Sequence, residues 1–334
     1  MRTKTTGVAL LVCLSIAAIG ALVWQQRAKR LAEDKKRAVS RRSAAAREDR
    51  APAPTDEELQ ARDRLASEIE GAIIYTRRGR VKKVTIGEWS EVDLGEGYYV
   101  RWGPLGERIA VLDDGVVSVM DADGSNRKVL VDGGVKGGDG CMIEFHTNGR
   151  EILYGTRRDG LWAVDIASKR TRNMNIPLNT EFNISADGRH LVGRLGACFL
   201  VELPGTEIRP FADGCSPCVS PDGNLMTSNK PLHRTMDIQE WDGDRLFEIN
   251  AMQLLPDARW DNMHWSNHND FIAMQGDGSR KEAYAFHPRT NQGTRLTWNG
   301  RTKYPDLFVT RDLKTGQSPM QLTLAWIEAN AGSE

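Results

Sequence analysis

A short strand-and-turn phrase recurs five times along this sequence, and it constrains the fold more than any other feature. Each copy contains one turn residue, and the five turn residues are Gly106, Gly149, Gly188, Gly223 and Asn269. Apolar residues stand four positions before these turns, at Trp102, Phe145, Ile184, Val219 and Trp265, and six positions before them, at Val100, Ile143, Phe182, Pro217 and Met263. Residues two apart share one face of a strand, and Asp-Gly or Asn-Gly pairs favour the tight turn of a hairpin. Successive turns lie 43, 39, 35 and 46 residues apart, which is the period of a four-stranded propeller blade.

The two ends of the repeat region predict how the ring closes. Strands near residues 73–86 have no repeat phrase ahead of them, and residues 306–309 open a blade that the sequence does not complete. An open ring would leave unpaired strand edges, so we expect the first strands to complete the last blade. Five full blades and this composite blade predict an all-β fold, a six-bladed β-propeller; seven blades is the alternative.

Several turns resemble those of the TolB-type β-propeller family, in which a Ser-Pro-Asp-Gly turn follows the first strand of each blade. Residues 220–223 match that turn fully, and residues 185–188 (Ser-Ala-Asp-Gly) match it closely. Residues 121–126 resemble the Asp-rich turn that follows the third strand. The resemblance extends over roughly residues 72–310. It implies the fold and is silent about the ligand, because one propeller scaffold hosts many functions.

Composition limits the classes of partner. The 334 residues carry 45 basic and 45 acidic side chains, so the chain lacks the basic excess of a nucleic-acid binder. The 32 glycines and nine tryptophans suit an all-β repeat protein that is rich in turns. We therefore expect no nucleic-acid partner.

The N-terminus differs in kind from the rest of the chain. Residues 7–24 form an uncharged apolar run of 18 residues, which is long enough for a spanning helix. We predict one N-terminal transmembrane helix, an uncleaved signal-anchor over residues 1–24, with a cleaved signal peptide as the alternative. The composition of residues 25–70 predicts a charged helical stalk, in which Thr55 and Glu58 form a capping box at the start of a second helix.

The propeller is expected over residues 71–312. A C-terminal tail follows over residues 313–334 and contains an apolar segment after residue 319. This segment either packs on the propeller or docks a partner.

Two sets of signals disagree about the side of the membrane. Basic residues within about 20 positions after the apolar run favour a cytoplasmic propeller by the positive-inside rule. The signal-like N-terminus and the export usual among similar propellers favour the periplasm. So does an even number of cysteines in the body, which permits two disulfides among Cys141, Cys198, Cys215 and Cys218. We expect a single-pass inner-membrane protein with a periplasmic propeller, and the cytoplasmic orientation is the alternative.

The motifs that suggest catalysis or metal binding have structural explanations. Residues 121–126 lack the glycine position of an EF-hand loop, and no glutamate follows at the twelfth position. Cys215 and Cys218 have redox spacing but do not open a helix, so buried thiols or disulfides are favoured over redox catalysis. His264 and His268 would make a metal pair on a helix, not across a strand and a turn. The sequence therefore predicts no catalytic residue, no cofactor and no metal site.

Candidate contacts with a ligand or partner lie where the sequence departs from the repeat. Residues 259–268 are dense in aromatic and hydrogen-bonding groups that suit peptide or sugar recognition. With one aromatic residue of the tail, the candidates are Trp260, His264, Trp265, His268 and Trp326.

These observations predict a membrane-tethered, non-catalytic propeller that acts as a protein-binding scaffold or as an accessory subunit of a membrane or envelope complex. The alternative is an envelope enzyme acting on glycans, a hydrolase or lyase with its site in the propeller funnel. Such an enzyme needs two carboxylates, or a histidine and a carboxylate, that converge in the funnel with shifted pKa values. A binding module needs an apolar-aromatic surface instead.

Overall fold

The computed structural model describes residues 53–133, 135, 142–156, 159–178, 180–250, 259–277 and 281–319. Over these residues the chain forms one α-helix, α1 (Asp56–Glu68), and 24 β-strands in six four-stranded sheets. The sheets are the six blades of a β-propeller, as the repeat predicts. The predicted transmembrane helix and the stalk before residue 53 lie outside the described residues.

Blades 1 to 3 each consist of four strands that follow one another along the chain. Blade 1 contains β4 (Tyr99–Trp102), β5 (Arg108–Asp113), β6 (Val116–Asp121) and β7 (Lys128–Val131). Blade 2 contains β8 (Ile143–Phe145), β9 (Glu151–Thr156), β10 (Gly160–Asp165) and β11 (Thr171–Asn173). Blade 3 contains β12 (Thr180–Ile184), β13 (His190–Leu195), β14 (Ala197–Glu202) and β15 (Ile208–Ala212).

Blades 4 and 5 repeat this order, and blade 6 joins the two ends of the propeller. Blade 4 contains β16 (Cys215–Val219), β17 (Leu225–Asn229), β18 (Thr235–Glu240) and β19 (Arg245–Asn250), with a short 3₁₀ turn at Pro231–His233. Blade 5 contains β20 (Trp260–Trp265), β21 (Ile272–Asp277), β22 (Lys281–His287) and β23 (Gln292–Arg295). Blade 6 contains β24 (Thr302–Asp312), β1 (Ile69–Arg77), β2 (Arg80–Thr85) and β3 (Glu91–Glu96).

The ring closes by pairing the last strand of the chain with the first. In blade 6 the strand order is β24-β1-β2-β3, and β24 lies antiparallel to β1 with Ile73 opposite Leu307. This order confirms the composite blade and the count of six. Gly71 permits the close approach of the two strands, because a Cβ atom there would lie 2.2 Å from the carbonyl oxygen of Phe308.

The alternating apolar residues of the repeat phrase pack between blades. The residues four and six positions before each turn are buried, and Val100, Ile143 and Val219 are almost completely so. The largest hydrophobic cluster joins residues of blades 1, 2 and 3 around side chains such as Tyr99 and Phe182. Burial of this kind is the main favourable contribution to folding, and it fixes the innermost strands around the propeller axis.

The innermost strands of blades 3 to 6 share a β-bulge near their first residues. At the bulge one residue has a positive φ angle near 50°, and the four residues are Glu181, Ser216, Asn262 and Tyr304. The strand pairing shifts register at the same place in each of the four blades. A bulge re-aims the side chains around it, so the beginnings of these strands differ from the regular pleat that the sequence predicts.

Helix α1 begins with the predicted capping box and packs against the propeller. The backbone N–H of Glu58 donates to Oγ1 of Thr55, and the backbone N–H of Thr55 donates to the carboxylate of Glu58. Leu65 is buried, and the guanidinium of Arg62 lies 3.6 Å from the ring centroid of Trp298. No helix among the described residues is long and apolar enough to cross a membrane.

We expect Gly71→Ala to destabilise the propeller by about 1–3 kcal/mol, because the added methyl group forces apart the two strands that close the ring. Gly293→Ala in β23 is the matched control, since a Cβ atom there meets no atom within 4 Å and its φ angle is not in the left-handed region. Urea unfolding of both variants measures the difference. Equal unfolding midpoints would show that the β1–β24 contact does not limit stability.

Candidate functional site

Six equivalent residues, one from the innermost strand of each blade, meet near the propeller axis. In blades 1 to 5 they lie five positions before the turn residue, between the two apolar positions of the repeat. We call them the central ring, and they are Arg101, Glu144, Asn183, Cys218, His264 and Asp306. Each is less than one-tenth exposed. Polar groups buried to this extent must satisfy one another, because burying a lone charge costs several kcal/mol.

His264 occupies the centre of the charge network in this ring. Its Nε2 atom lies 2.7 Å from Oε2 of Glu144 in a hydrogen bond. Its Nδ1 atom lies 2.9 Å from Oδ1 of Asp306 in a close ion pair that lacks hydrogen-bond geometry. Burial and the charge of Arg101 lower the pKa of His264, but the carboxylates of Asp306 and Glu144 outweigh them and raise it above its ordinary value. The two carboxylates therefore favour the cationic form of the imidazole.

Arg101 supplies the second positive charge. Its Nε atom lies 3.6 Å from Oε2 of Glu144, and its guanidinium lies 4.4 Å from the ring centroid of Tyr99. The guanidinium also donates to the backbone carbonyl of Val100. Two cations thus face two carboxylates, and the central ring is neutral as a set. This balance is what makes its complete burial tolerable.

Asp306 contributes both to the charge balance and to the seam between blades. Burial raises the pKa of Asp306. The charges of His264 and Arg101, with a hydrogen bond from the backbone N–H of Trp102, lower that pKa by more, so the net shift is downward. That N–H lies 2.7 Å from Oδ2 of Asp306 and joins blade 6 to blade 1.

Two other members of the ring bind the backbone of the next blade in the same way. Oδ1 of Asn183 accepts the N–H of Val219 at 2.9 Å, which joins blade 3 to blade 4. Sγ of Cys218 accepts the N–H of Trp265 at 2.6 Å, which joins blade 4 to blade 5. Asp306, Asn183 and Cys218 of the central ring thus also connect neighbouring blades through hydrogen bonds.

A funnel opens above the ring on the side of the repeat turns. This turn-side funnel encloses about 560 Å³ of empty space, its open mouth included. Apolar side chains equivalent in the six blades line its wall, namely Trp102, Phe145, Ile184, Val219, Trp265 and Leu307. Four members of the central ring form its deepest part, namely Glu144, Asn183, His264 and Asp306. Nε1 of Trp102 and Oγ1 of Thr147 are buried and have no hydrogen-bond partner among the described residues.

A second cavity lies where the innermost strands begin. This strand-start cavity shares no lining residue with the turn-side funnel, and it is lined by residues that include Thr180, Glu181, Arg194, Cys215, His233, Asp261 and Asn262. Cys198, Cys215 and Cys218 are free, buried thiols, whereas Cys141 lies outside the described residues. Burial, together with the carboxylates of Glu181 and Asp261, raises the pKa of Cys215 to about 12.

The structure separates the candidate contact residues that the sequence suggests. His264 belongs to the central ring, and Trp265 lines the turn-side funnel. Trp260 is completely buried and packs edge-on against Tyr284, so it forms part of the core. His268 lies in the turn after β20, where Nε2 is 3.3 Å from Oδ2 of Asp312. Trp326 lies outside the described residues.

The sequence contains a signal for the central ring at one position of the repeat phrase. The residue between the two apolar positions of the repeat is Arg, Glu, Asn, Cys or His in the five copies, and all of these except cysteine are polar types that are seldom fully buried. A polar residue that recurs at one position of a buried strand points to the propeller axis. The chemical identities differ from blade to blade, and this hides the pattern.

Because the folded-state pKa of His264 is raised, the stability from its charge is fully present below pH 6.5, its ordinary value, and is lost as pH rises through the raised value. We expect His264→Gln to cost about 3–5 kcal/mol near pH 6, where a buried ion pair is broken. The difference in unfolding free energy between the unmodified chain and His264→Gln should shrink as pH rises above 6.5 and through the raised pKa of His264. Urea unfolding over a pH series measures it, and a difference that does not change with pH would contradict the cationic assignment.

Comparison with known proteins agrees with the propeller at the level of the fold. No protein-family model matches the sequence, and no curated protein matches it. The structure is similar to a chain in the crystal structure of a nidogen/laminin complex, with a TM-score of 0.57, 8% identity, and coverage of 72% of this chain and 98% of that one. It is also similar to a structure assigned as TolB from Agrobacterium tumefaciens, with a TM-score of 0.50, 12% identity, and coverage of 70% and 91%. The resemblance that the repeat turns suggest is thus confirmed for the fold: the chain forms a six-bladed β-propeller that is similar to the TolB structure.

Proposed function

We propose that this chain is a non-catalytic β-propeller that binds a segment of a protein partner in the turn-side funnel. The observation that carries the proposal is the composition of the funnel, in which six equivalent apolar side chains surround a small set of polar groups. Concave sites that bind ligands have this composition, with apolar walls for affinity and a few polar groups for orientation. This apolar lining, rather than an exposed patch, is what supports binding, because each of the six side chains is less than one-tenth exposed.

The polar atoms of the funnel wall suit an extended peptide. The indole Nε1 of Trp102 can only donate a hydrogen bond, and it is buried without a partner among the described residues. Oγ1 of Thr147 is also buried without a hydrogen-bond partner among the described residues. A peptide backbone supplies a carbonyl oxygen and an N–H at every residue, so a segment entering the funnel offers partners to both atoms after a small movement of the wall. Leaving such groups unsatisfied costs about 1–3 kcal/mol each, which gives binding a driving force beyond apolar contact.

One observation favours the alternative, an envelope enzyme acting on glycans. A histidine and two carboxylates do converge in the funnel, at His264, Glu144 and Asp306, and the pKa values of His264 and Asp306 are shifted. Their pairing argues against catalysis, because each imidazole nitrogen already faces a carboxylate. The carboxylates also accept backbone N–H groups, at Phe145 and Trp102. We therefore assign the ring to structure and the funnel wall to recognition.

We also propose where this propeller acts in the cell. The apolar run at residues 7–24 supports a tether to the inner membrane, with the propeller in the periplasm. A tether keeps the propeller near membrane partners and raises its effective concentration there. The chain would then act as a scaffold or accessory subunit of a membrane or envelope complex.

We expect Ala186→Arg to abolish co-purification of the partner. Ala186 is half-buried in the funnel lining, and its backbone N–H is bonded to the carbonyl of Pro221, which the substitution preserves. A long charged side chain at this position obstructs the funnel without emptying the core. The measurement is affinity purification of the full chain from native membranes in mild detergent, followed by identification of the proteins that elute with it.

Ala167→Arg is the matched control, because Ala167 is exposed in the turn between β10 and β11 and does not line the funnel. It should retain every partner that the unmodified chain retains. Equal partner loss in both variants, or equal retention, would contradict binding in the funnel. A monomeric product that cleaves envelope glycans would overturn the non-catalytic assignment.

A further inference from the structure

Three side chains in the strand-start cavity form a cluster that the central ring does not use. Sγ of Cys215 lies 3.0 Å from Nε2 of His233, and Nδ1 of His233 lies 3.8 Å from Oδ1 of Asp261. One potential ligand atom from each residue lies within 4.8 Å of the other two. We propose that Cys215, His233 and Asp261 bind a divalent metal cation of the zinc class at this place, a site independent of the proposed peptide-binding function.

The donor set selects the class of metal. A thiolate, an imidazole nitrogen and a carboxylate oxygen are the three ligand types that Zn²⁺ takes in proteins, whereas Ca²⁺ and Mg²⁺ take oxygen ligands. The thiolate also disfavours the hard cations, since soft ligands select Zn²⁺ or Cu⁺. Three protein ligands leave a fourth tetrahedral position, and the cavity that all three residues line can supply a water molecule to fill it.

The backbone that carries His233 adopts an unfavourable conformation that the cluster explains. Leu232 and His233 are consecutive non-glycine residues with positive φ angles of 74° and 57°. Each such residue costs about 1–3 kcal/mol. Leu232 is 68% exposed, so burial of its side chain does not compensate for this cost. The result of the conformation is the placement of the imidazole against Cys215 and Asp261. Strain of this kind is concentrated at ligand-binding sites.

The groups around the cluster hold the carboxylate in place. The hydroxyl of Ser216 donates to Oδ1 of Asp261 at 3.1 Å, and the backbone N–H of Asn262 donates to the same oxygen at 2.9 Å. Both protein donors therefore bind one oxygen, and the other oxygen has no hydrogen bond among the described residues. Outer contacts that orient a ligand in this way are typical of metal sites.

Charge balance is consistent with a divalent ion. A thiolate at Cys215 and the carboxylate of Asp261 carry two negative charges, which one divalent cation neutralises. The adjacent carboxylate of Glu181 is already paired with Arg194, at 3.1 Å, and accepts the backbone N–H of Ser216 at 2.6 Å. The metal-bound site would therefore be neutral.

The site would also connect two blades. Cys215 and His233 belong to blade 4, and Asp261 belongs to β20 of blade 5. A bound metal would fix the Pro231–His233 turn against the neighbouring blade at the mouth of the cavity. We therefore expect zinc to raise the thermal unfolding temperature of the propeller as well as to bind.

The test is zinc binding by the full chain, dialysed free of metal and kept reduced with a phosphine. Competition against a chromophoric chelator should show one zinc ion bound per chain with an affinity that depends on this cluster. Cys215→Ser, His233→Gln and Asp261→Asn should each weaken it at least about 100-fold, since loss of an outer contact alone costs 10–100-fold. Cobalt in place of zinc should give a thiolate charge-transfer band that Cys215→Ser removes.

Cys218→Ser is the matched control, because it replaces another buried thiol of the same strand that lies outside the cluster. It should keep the zinc stoichiometry and the cobalt band. Thermal unfolding without added metal shows whether each variant is folded, and Asp261→Asn retains the shape of the side chain if the others do not fold. Absence of stoichiometric zinc in the unmodified chain would overturn the proposal. So would unchanged affinity in Asp261→Asn, or equal loss in Cys218→Ser.

Discussion

The cationic imidazole of His264, held between Glu144 and Asp306, is the interaction on which the centre of this propeller depends. Six innermost strands bring one side chain each to a common axis, where each is less than one-tenth exposed. Burying an ion there costs several kcal/mol, and only a neutral, hydrogen-bonded set is tolerated. With Arg101 the four charges cancel. Asp306 also accepts the backbone N–H of Trp102 in the neighbouring blade, so this carboxylate serves both the charge balance and the assembly of the blades.

Burial of the ring also divides the molecule into two chemically different openings. The turn-side funnel is walled by residues of the apolar repeat position, and the strand-start cavity by residues around the β-bulges, with no lining residue in common. The bulges at Glu181, Ser216 and Asn262 turn polar groups toward the start of the strands. The two ends of the innermost strands therefore present apolar side chains on one side and potential metal ligands on the other. Neither surface requires any departure from the propeller scaffold.

Features that repeat along the chain could be predicted from the sequence, whereas sites assembled from residues far apart in the chain could not. The blade period, the composite blade and the capping box at Thr55 are local or repetitive, so a pattern in one dimension contains them. The central ring joins residues from six blades, and its members share a position but no chemistry. Cys215, His233 and Asp261 have no metal-binding spacing along the chain, and the strained turn at His233 brings them together. Cys215 and Cys218 have redox spacing in the sequence, yet their thiols lie in different parts of the molecule, the strand-start cavity and the central ring.

Residues of the central ring and of the funnel wall differ in how freely they can be substituted, and this difference limits where the funnel can gain specificity. A change at Glu144 or Asp306 leaves an uncompensated charge in the core, so stability restricts what can stand at those positions. The wall position directly after each ring residue holds an uncharged side chain, so this restriction does not apply to it. Trp102 and Trp265 occupy that position in blades 1 and 5, whereas Ile184 and Val219 occupy it in blades 3 and 4. The wall residue is thus aromatic in blades 1, 2 and 5 and aliphatic in blades 3, 4 and 6, and a bound segment would be oriented by this asymmetry while the neutral ring beneath it remains unchanged.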